Sequence, residues 1–306
     1  MCSPGASGDA KIESMARLAD RLPDNAEGEF YVDSSCIDCA VCRNVAPQTF
    51  ARSTRAGASF VVLQPSKPNQ VLRAKMALVS CPTSAIGSRS KLPVDDAIAA
   101  FPEPLGDDVY FCGFASESSF GAQSYLIVRP EGNVLVDSPR AVPKLLDRIE
   151  ALGGVRWMFL THRDDVGDHA KIARRFGCER VMHAADITPD TEDVEIKIEG
   201  EAPVRLAHDL LVLPVPGHTK GSAALLYRDL ALFTGDHLFA TDDGERLYAS
   251  RSVCWYSWEA QKRSLKTLLS HDFCWVLPGH DGRMRAPSLE AMREQVRAAT
   301  LRAART

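Results

Sequence analysis

Cys36, Cys39 and Cys42 fall at intervals of three residues, and a fourth cysteine, Cys81, comes later, directly before Pro82. No other feature of the chain narrows its fold as far. Three thiolates at this spacing turn inward only from a tight loop, and such a loop wraps one corner of an iron–sulfur cubane whose fourth iron takes a ligand from elsewhere in the chain. The other readings are four buried thiols or a Cys₄ zinc site, but zinc sites favour two separated Cys-x-x-Cys knuckles. Because all four positions are Cys, the pattern implies [4Fe–4S] rather than [3Fe–4S].

Composition supports metal over disulfides. The chain has nine cysteines in 306 residues. The number is odd, the chain is long, and the first thirty residues lack the apolar stretch of an export signal, so a disulfide framework is a poor reading. The five cysteines outside the pattern, at 2, 112, 178, 254 and 274, have no metal spacing and read as small hydrophobes. No run of about 18 apolar residues is present. The formal charge of −4 gives no basic field for nucleic acid. The expectation is a cytoplasmic protein without a membrane or nucleic-acid partner.

The length corresponds to about two domains. Residues 1–28 read as a flexible leader with a short helix at Ile12–Leu22, and 29–89 as a small cysteine-bearing domain. Within the latter, Phe60–Leu63 is an expected strand and Gln70–Val79 an expected helix. Residues 90–107, with Pro93, Pro102 and Pro104, read as a linker. From 108 to 306 apolar strand runs alternate with helical spacing. Ser124–Val128 and Val134–Asp137 flank the turn signal Pro130-Glu131-Gly132-Asn133 and predict a hairpin. Helices are expected at Ala141–Leu152, His169–Phe176, Trp258–Leu269 and Ser288–Ala304. Strands are expected at Val155–Leu160, Val194–Ile198, Leu210–Leu213, Ala223–Tyr227, Ala231–Thr234 and Phe273–Leu277. The fold class is a layered α/β domain preceded by a small α+β domain.

Residues 29–89 resemble a single-cluster bacterial ferredoxin domain, including the Cys81-Pro82-Thr83-Ser84-Ala85-Ile86 stretch. Two-cluster ferredoxins carry a further cysteine before a proline in the local run. Here Ala46-Pro47 stands in that place, so the resemblance implies one 4Fe–4S cluster, held by Cys36, Cys39, Cys42 and Cys81.

Four further segments set imidazoles and carboxylates just beyond expected strands: Thr161-His162-Arg163-Asp164-Asp165-Val166-Gly167-Asp168-His169, Pro216-Gly217-His218, Thr234-Gly235-Asp236-His237 and Leu277-Pro278-Gly279-His280. Convergence of such turns at one sheet edge assembles a metal site from distant sequence. In this order they resemble the metallo-β-lactamase superfamily, over about residues 108–283, with Asp137-Ser138-Pro139 where that family often has Asp-Thr-Gly. The resemblance implies an αββα sandwich with metal in a cleft at the sheet edges.

The family's leading motif is His-x-His-x-Asp-His. His162 matches its first position, Asp164 stands at the second, and the Asp-His pair arrives two residues late as Asp168-His169. The implied assignment places one metal on His162, Asp164 and His218. The second falls on Asp168, His169 and His280, with Asp236 bridging, and Asp165 is an alternative to Asp164. His237 is left out because an extended backbone points it away from its neighbour. One or two divalent ions are expected. The exchange of imidazole for carboxylate favours iron or manganese over zinc.

The expected function is hydrolysis of an ester, thioester, amide or similar bond of a small molecule by metal-bound hydroxide, with Asp168 as orienter and proton acceptor. One rival is an oxidoreductase in which the cluster, fed by a redox partner, passes electrons to a dinuclear iron site. Another is a non-catalytic redox sensor. The run Ser250–Trp258 concentrates aromatics; it could line a pocket or pack the domains together, and ordinary core is the favoured reading.

Overall fold

The computed structural model describes residues 16–305. The small domain is built from two antiparallel strand pairs, Phe30–Val32 with Ile86–Ser88 and Phe50–Ser53 with Ala58–Val61, and from the helices Val41–Val45 and Pro68–Ser80. The second helix starts where Pro68 needs no amide partner, and the Gln70 side chain reaches back to the Lys67 amide. It stops at Cys81 because Pro82 disfavours helical backbone in the residue before it. The fourth cysteine is thereby fixed at a helix end facing the Cys36–Cys42 loop.

Residues 16–28, expected to be part of a leader, pack onto this domain. Tyr31 donates its hydroxyl to the Ala16 carbonyl, and the Leu22 and Ala26 amides donate to Val32 and Val61. Of the helix expected at Ile12–Leu22, residues 12–15 lie outside the described residues, and the rest forms only the 3₁₀ turn Leu18–Asp20. The segment read as a linker contributes a helix, Asp95–Ala99, and an edge strand, Glu103–Gly106.

The large domain stacks two sheets. The first runs in the order Ile196–Ile198, Glu179–His183, Trp157–Phe159, Val134–Val136, Tyr125–Ile127, Val109–Phe111, Glu103–Gly106, parallel over its first four strands and antiparallel beyond. The second runs Val204–Ala207, Leu210–Pro214, Ala223–Tyr227, Ala231–Gly235, Trp275–Pro278, Met284–Arg285, with one parallel pair between Ala231–Gly235 and Trp275–Pro278.

Alternation along the second sheet shows why helices cover both faces of the stack. Leu225, Tyr227, Phe233 and Leu277 enter the core between the sheets. Their neighbours Ala224, Leu226, Leu232 and Val276 face the opposite way, onto Leu265, Met292 and Val296 of the helices Trp258–Thr267 and Leu289–Ala303. Helices Pro143–Ala151 and His169–Phe176 bury Leu145, Ile149 and Ile172 in the core that the first sheet shares. The layers are therefore αββα. No described helix is long and apolar enough to cross a membrane.

The two domains are tied together by named contacts. The Arg43 guanidinium bonds Asp242 at 2.7 Å, Arg140 donates to the Val79 carbonyl at 2.8 Å, and the Ala115 amide donates to Ser80 at 3.1 Å.

Candidate metal centre

The strand Trp157–Phe159 ends at Leu160 and hands the chain to Thr161 and His162. Thr161 is locked by Asp137 from the neighbouring strand end. Asp137 accepts from the Thr161 amide at 2.8 Å and from its hydroxyl at 3.0 Å. With its proton committed there, the Thr161 oxygen accepts from His162 Nδ1 at 3.0 Å. His162 Nε2 is then the bare nitrogen, buried and without a partner. His218 is set in the same way, its Nδ1 donating to the Val253 carbonyl so that Nε2 turns inward. The two imidazole rings meet edge to face with centroids 4.6 Å apart.

Carboxylates complete the group. Asp164 accepts from His218 Nε2 at 3.2 Å and lies 4.0 Å from His162 Nε2. Asp236, just after the strand Ala231–Gly235, approaches His218 Nε2 at 3.9 Å and His280 Nε2 at 3.7 Å. Asp165 lies 3.9 Å from His162 Nε2 and 3.8 Å from His280 Nε2. Two overlapping sets result, His162–His218–Asp236 and Asp165–Asp236–His280, each with ligand atoms within 4.8 Å of one another, and Asp236 belongs to both.

The donor set of this cluster, with carboxylate oxygens left without partners, fits a cation. Both Asp165 oxygens and Asp236 Oδ1 are buried with no hydrogen-bond partner. Burial holds Asp236 above the usual carboxylate range. Burial opposes ionisation of Asp165 too, but the His162 and His280 imidazoles outweigh it and hold that carboxylate low. Burial would lower His280, yet Asp236 and Asp165 carry it up to about 10, so a proton there supplies the missing positive charge. A divalent ion between these oxygens and nitrogens would do the same with better geometry. Gly279 leaves the room: a Cβ there would come within 2.8 Å of Asp165 Oδ2 and 2.9 Å of Asp236 Oδ1.

The structure does not bring Asp168 and His169, expected as ligands, into these sets. Asp168 caps the helix His169–Phe176, where it accepts from the Ala141 amide at 2.8 Å and from Lys171 at 2.7 Å. His169 is buried on the first turn, its Nδ1 3.3 Å from Arg180 Nη1, and burial and that guanidinium lower its pKa. The cause is the longer turn Asp164–Gly167, which carries the Asp-His pair past the centre onto the helix. Asp165, three residues earlier, lies beside His162 and His280 instead. Of the two carboxylates weighed for this position, Asp165 joins the overlapping sets, and Asp164 stands beside them, bonded to His218. His237 does stay apart: it is fully buried, and its carbonyl accepts from Gln261.

The sulfur site is adjacent. Cys36, Cys39, Cys42 and Cys81 line one cavity with Val32, Val41 and Ile86. Cys36 Sγ accepts from the Ser59 amide at 3.4 Å and Cys81 Sγ from the Ala85 amide at 3.2 Å, the bonds that steady cluster thiolates. Burial pushes the Cys42 thiol up to about 12 and raises Cys39 and Cys81 as well. Four cysteines gathered around one cavity are a donor set that fits a cluster.

The cleft above the metal ligands, about 460 Å³, is shared by both domains. Ile37, Asp38 and Cys39 border it together with Asp164, His218 and His280. The sequence favoured ordinary core for the Ser250–Trp258 run, whereas Ser250, Val253 and Trp255 line this cleft. Phe120 and Arg163 line it as well and carry no sequence signal of their own.

Comparison with known proteins divides the chain in the same way. The family of the "4Fe-4S single cluster domain of Ferredoxin I" matches residues 32–88, and the metallo-beta-lactamase superfamily matches residues 106–251. A hydroxyacylglutathione hydrolase of Anaeromyxobacter dehalogenans is 37% identical over 121 residues, 38% of this chain and 46% of that protein. One of Methylococcus capsulatus is 28% identical over 189 residues, 56% of this chain and 73% of that protein. The match thus spans about half the length of the first relative. Among solved structures, ETHE1 from Myxococcus xanthus shares 20% identity with a TM-score of 0.44, covering 62% of this chain and 84% of its own.

Proposed function

For a chain that joins a single-cluster 4Fe–4S domain to a metallo-β-lactamase superfamily domain, we propose metal-dependent hydrolysis of an ester or thioester in the shared cleft. The observation that carries it is the set of buried ligand atoms without partners, His162 Nε2, both Asp165 oxygens and Asp236 Oδ1, gathered beneath an open cleft.

His162, Asp164 and His218 would hold one ion, Asp165 and His280 a second, with Asp236 between them. Three carboxylates among six ligands favour iron or manganese over zinc. Bound there, such ions supply Lewis acidity and nucleophilic water at neutral pH. With ions bound, Asp165 would take the role first given to Asp168, accepting a hydrogen bond from the nucleophilic water and orienting it. His162 and His218 keep Nε2 inward because Thr161 and the Val253 carbonyl hold their other nitrogens. Two relatives are named hydroxyacylglutathione hydrolase, so thiol esters head the substrate panel. The test is turnover of that panel by anaerobically prepared, metal-loaded protein without reductant. Activity that vanishes in His218→Ala supports the reading, and no turnover of any member contradicts it.

One observation favours a second reading. Cys39 borders the same cleft as the metal ligands, so a reduced cluster could pass one electron to an acceptor held there. Cluster reoxidation by a bound acceptor, absent in His218→Ala and accompanied by no hydrolysis, would favour this oxidoreductase.

A further inference from the structure

Three of the large apolar side chains that the chain leaves exposed border this one cleft: Ile37 at 43% exposure, Phe120 at 66% and Trp255 at 61%. They come from three separate parts of the chain, and each is held where it is by the machinery already described. Ile37 lies inside the cluster-binding loop, between Cys36 and Cys39. Trp255 is tied to a metal-site residue: its amide donates to the carbonyl of His218 at 2.9 Å, and its ring lies 6.2 Å from the His218 ring.

Phe120 is held in left-handed backbone at φ 50°, a conformation that bulky residues avoid. Such strain persists only where the surroundings impose it. The next residue shows what does. Gly121, at φ +83°, packs so closely on the cluster loop that a Cβ there would lie 2.5 Å from Cys39 Cβ and 2.9 Å from its sulfur. The turn that seals the large domain against Cys39 thus also props an aromatic ring into the cleft.

The cleft holds the polar, anionic group Asp164, Asp165, Asp236, His218 and His280, and its lining also carries the apolar side chains Ile37, Phe120 and Trp255 beside Asp38, Asp281 and the half-exposed Arg163. A volume of about 460 Å³ suits one small molecule.

We propose that the small domain forms part of the substrate site: Ile37, with Phe120 and Trp255, binds an aromatic or long apolar group of a substrate whose carbonyl reaches the metal centre. This deepens the hydrolase reading and rests on its metal centre. The cluster loop then acts in recognition, whatever the cluster itself does in turnover.

The probes are acetohydroxamate and 2-naphthohydroxamate, which share a metal-chelating head and differ in the apolar body. Calorimetry on anaerobic, cluster- and metal-loaded protein should find the naphthyl probe at least about tenfold tighter, the order expected for moving two fused rings from water onto apolar side chains. In Ile37→Ser, and separately in Phe120→Ala, that ratio should fall to about threefold or less. Affinity for acetohydroxamate and the visible absorbance of the cluster should be unchanged in both. Equal affinities in the wild type, or a ratio retained in both variants, would overturn the proposal. Failure of acetohydroxamate to bind would count against the metal centre instead. The subsite would then be read with naphthalene-2-carboxamide, which lacks the chelating head. Binding by the wild type and loss in both variants would uphold the proposal, and no binding by the wild type would sink it.

Discussion

The cluster loop and the metal cleft lie against each other but are built in opposite ways. The cluster site takes three of its four sulfurs from residues 36–42, and a helix end adds Cys81. The cleft gathers its candidate ligands from residue 162 to residue 280, delivered by four strand ends and meaningful only once both sheets have packed. A site made from one loop should respond to a single ligand change all at once. A site assembled from distant turns should respond in graded steps, through the groups that hold each turn.

Cys39→Ala should break the comparison most strongly. It removes a cluster ligand and the surface on which Gly121 rests. Most of the visible absorbance and cluster iron should disappear, whereas His218→Ala should leave both in place. Colour and iron unchanged in Cys39→Ala would remove it from the ligand set.

Gly121→Ala probes the seam between the two regions. It forces a side chain at positive φ into Cys39, which should cost about 2 kcal/mol and accelerate cluster bleaching in air. Thermal unfolding and bleaching rates identical to wild type would show that the two regions do not press on each other there.

Asp137→Asn tests the graded behaviour of the cleft alone. Asp137 touches no proposed metal ion but fixes Thr161, which fixes His162. Losing such support should weaken non-cluster metal about tenfold in chelator competition, with the cluster spectrum unaltered.

The smallest effect belongs to the shelf beneath His169. Arg180 holds Glu195 down to about 2, against an ordinary 4.5. The pair therefore stabilises the fold above about pH 4.5, and that contribution is lost as the pH falls towards 2. Because Glu195 is largely exposed, Glu195→Gln should cost less than about 1 kcal/mol at pH 7. The gap in melting temperature from wild type should narrow as the pH drops from 4.5 to 2. A constant gap would show that the carboxylate charge is not what matters there.

The same contrast explains what could be read from the residues alone. The cysteine run fixes its own geometry, so its ligands were legible from spacing. Strands with apolar runs between turns were also legible: Ala223–Tyr227 falls where its continuous apolar run puts it, and the hairpin appears as Tyr125–Ile127 with Val134–Val136. His162, His218, Asp236 and His280 were legible because each follows a strand directly. Asp168 and His169 do not gather with the other candidate ligands, since the turn before them is longer than the motif allows, and spacing along a chain does not reveal which carboxylate a longer turn will present. Phe120 and Ile37 gave no signal, since an exposed apolar residue is ordinary until the opposite domain is in place.

The central claim is that Asp165, not Asp168, belongs to a metal centre beside the cluster. Elemental analysis of anaerobically purified wild type, Asp165→Ala and Asp168→Ala tests it directly. Four irons per chain belong to the cluster, and metal beyond them belongs to the cleft. The account predicts that this excess falls to half or less in Asp165→Ala and stays at the wild-type value in Asp168→Ala. An excess retained in Asp165→Ala but lost in Asp168→Ala would contradict it.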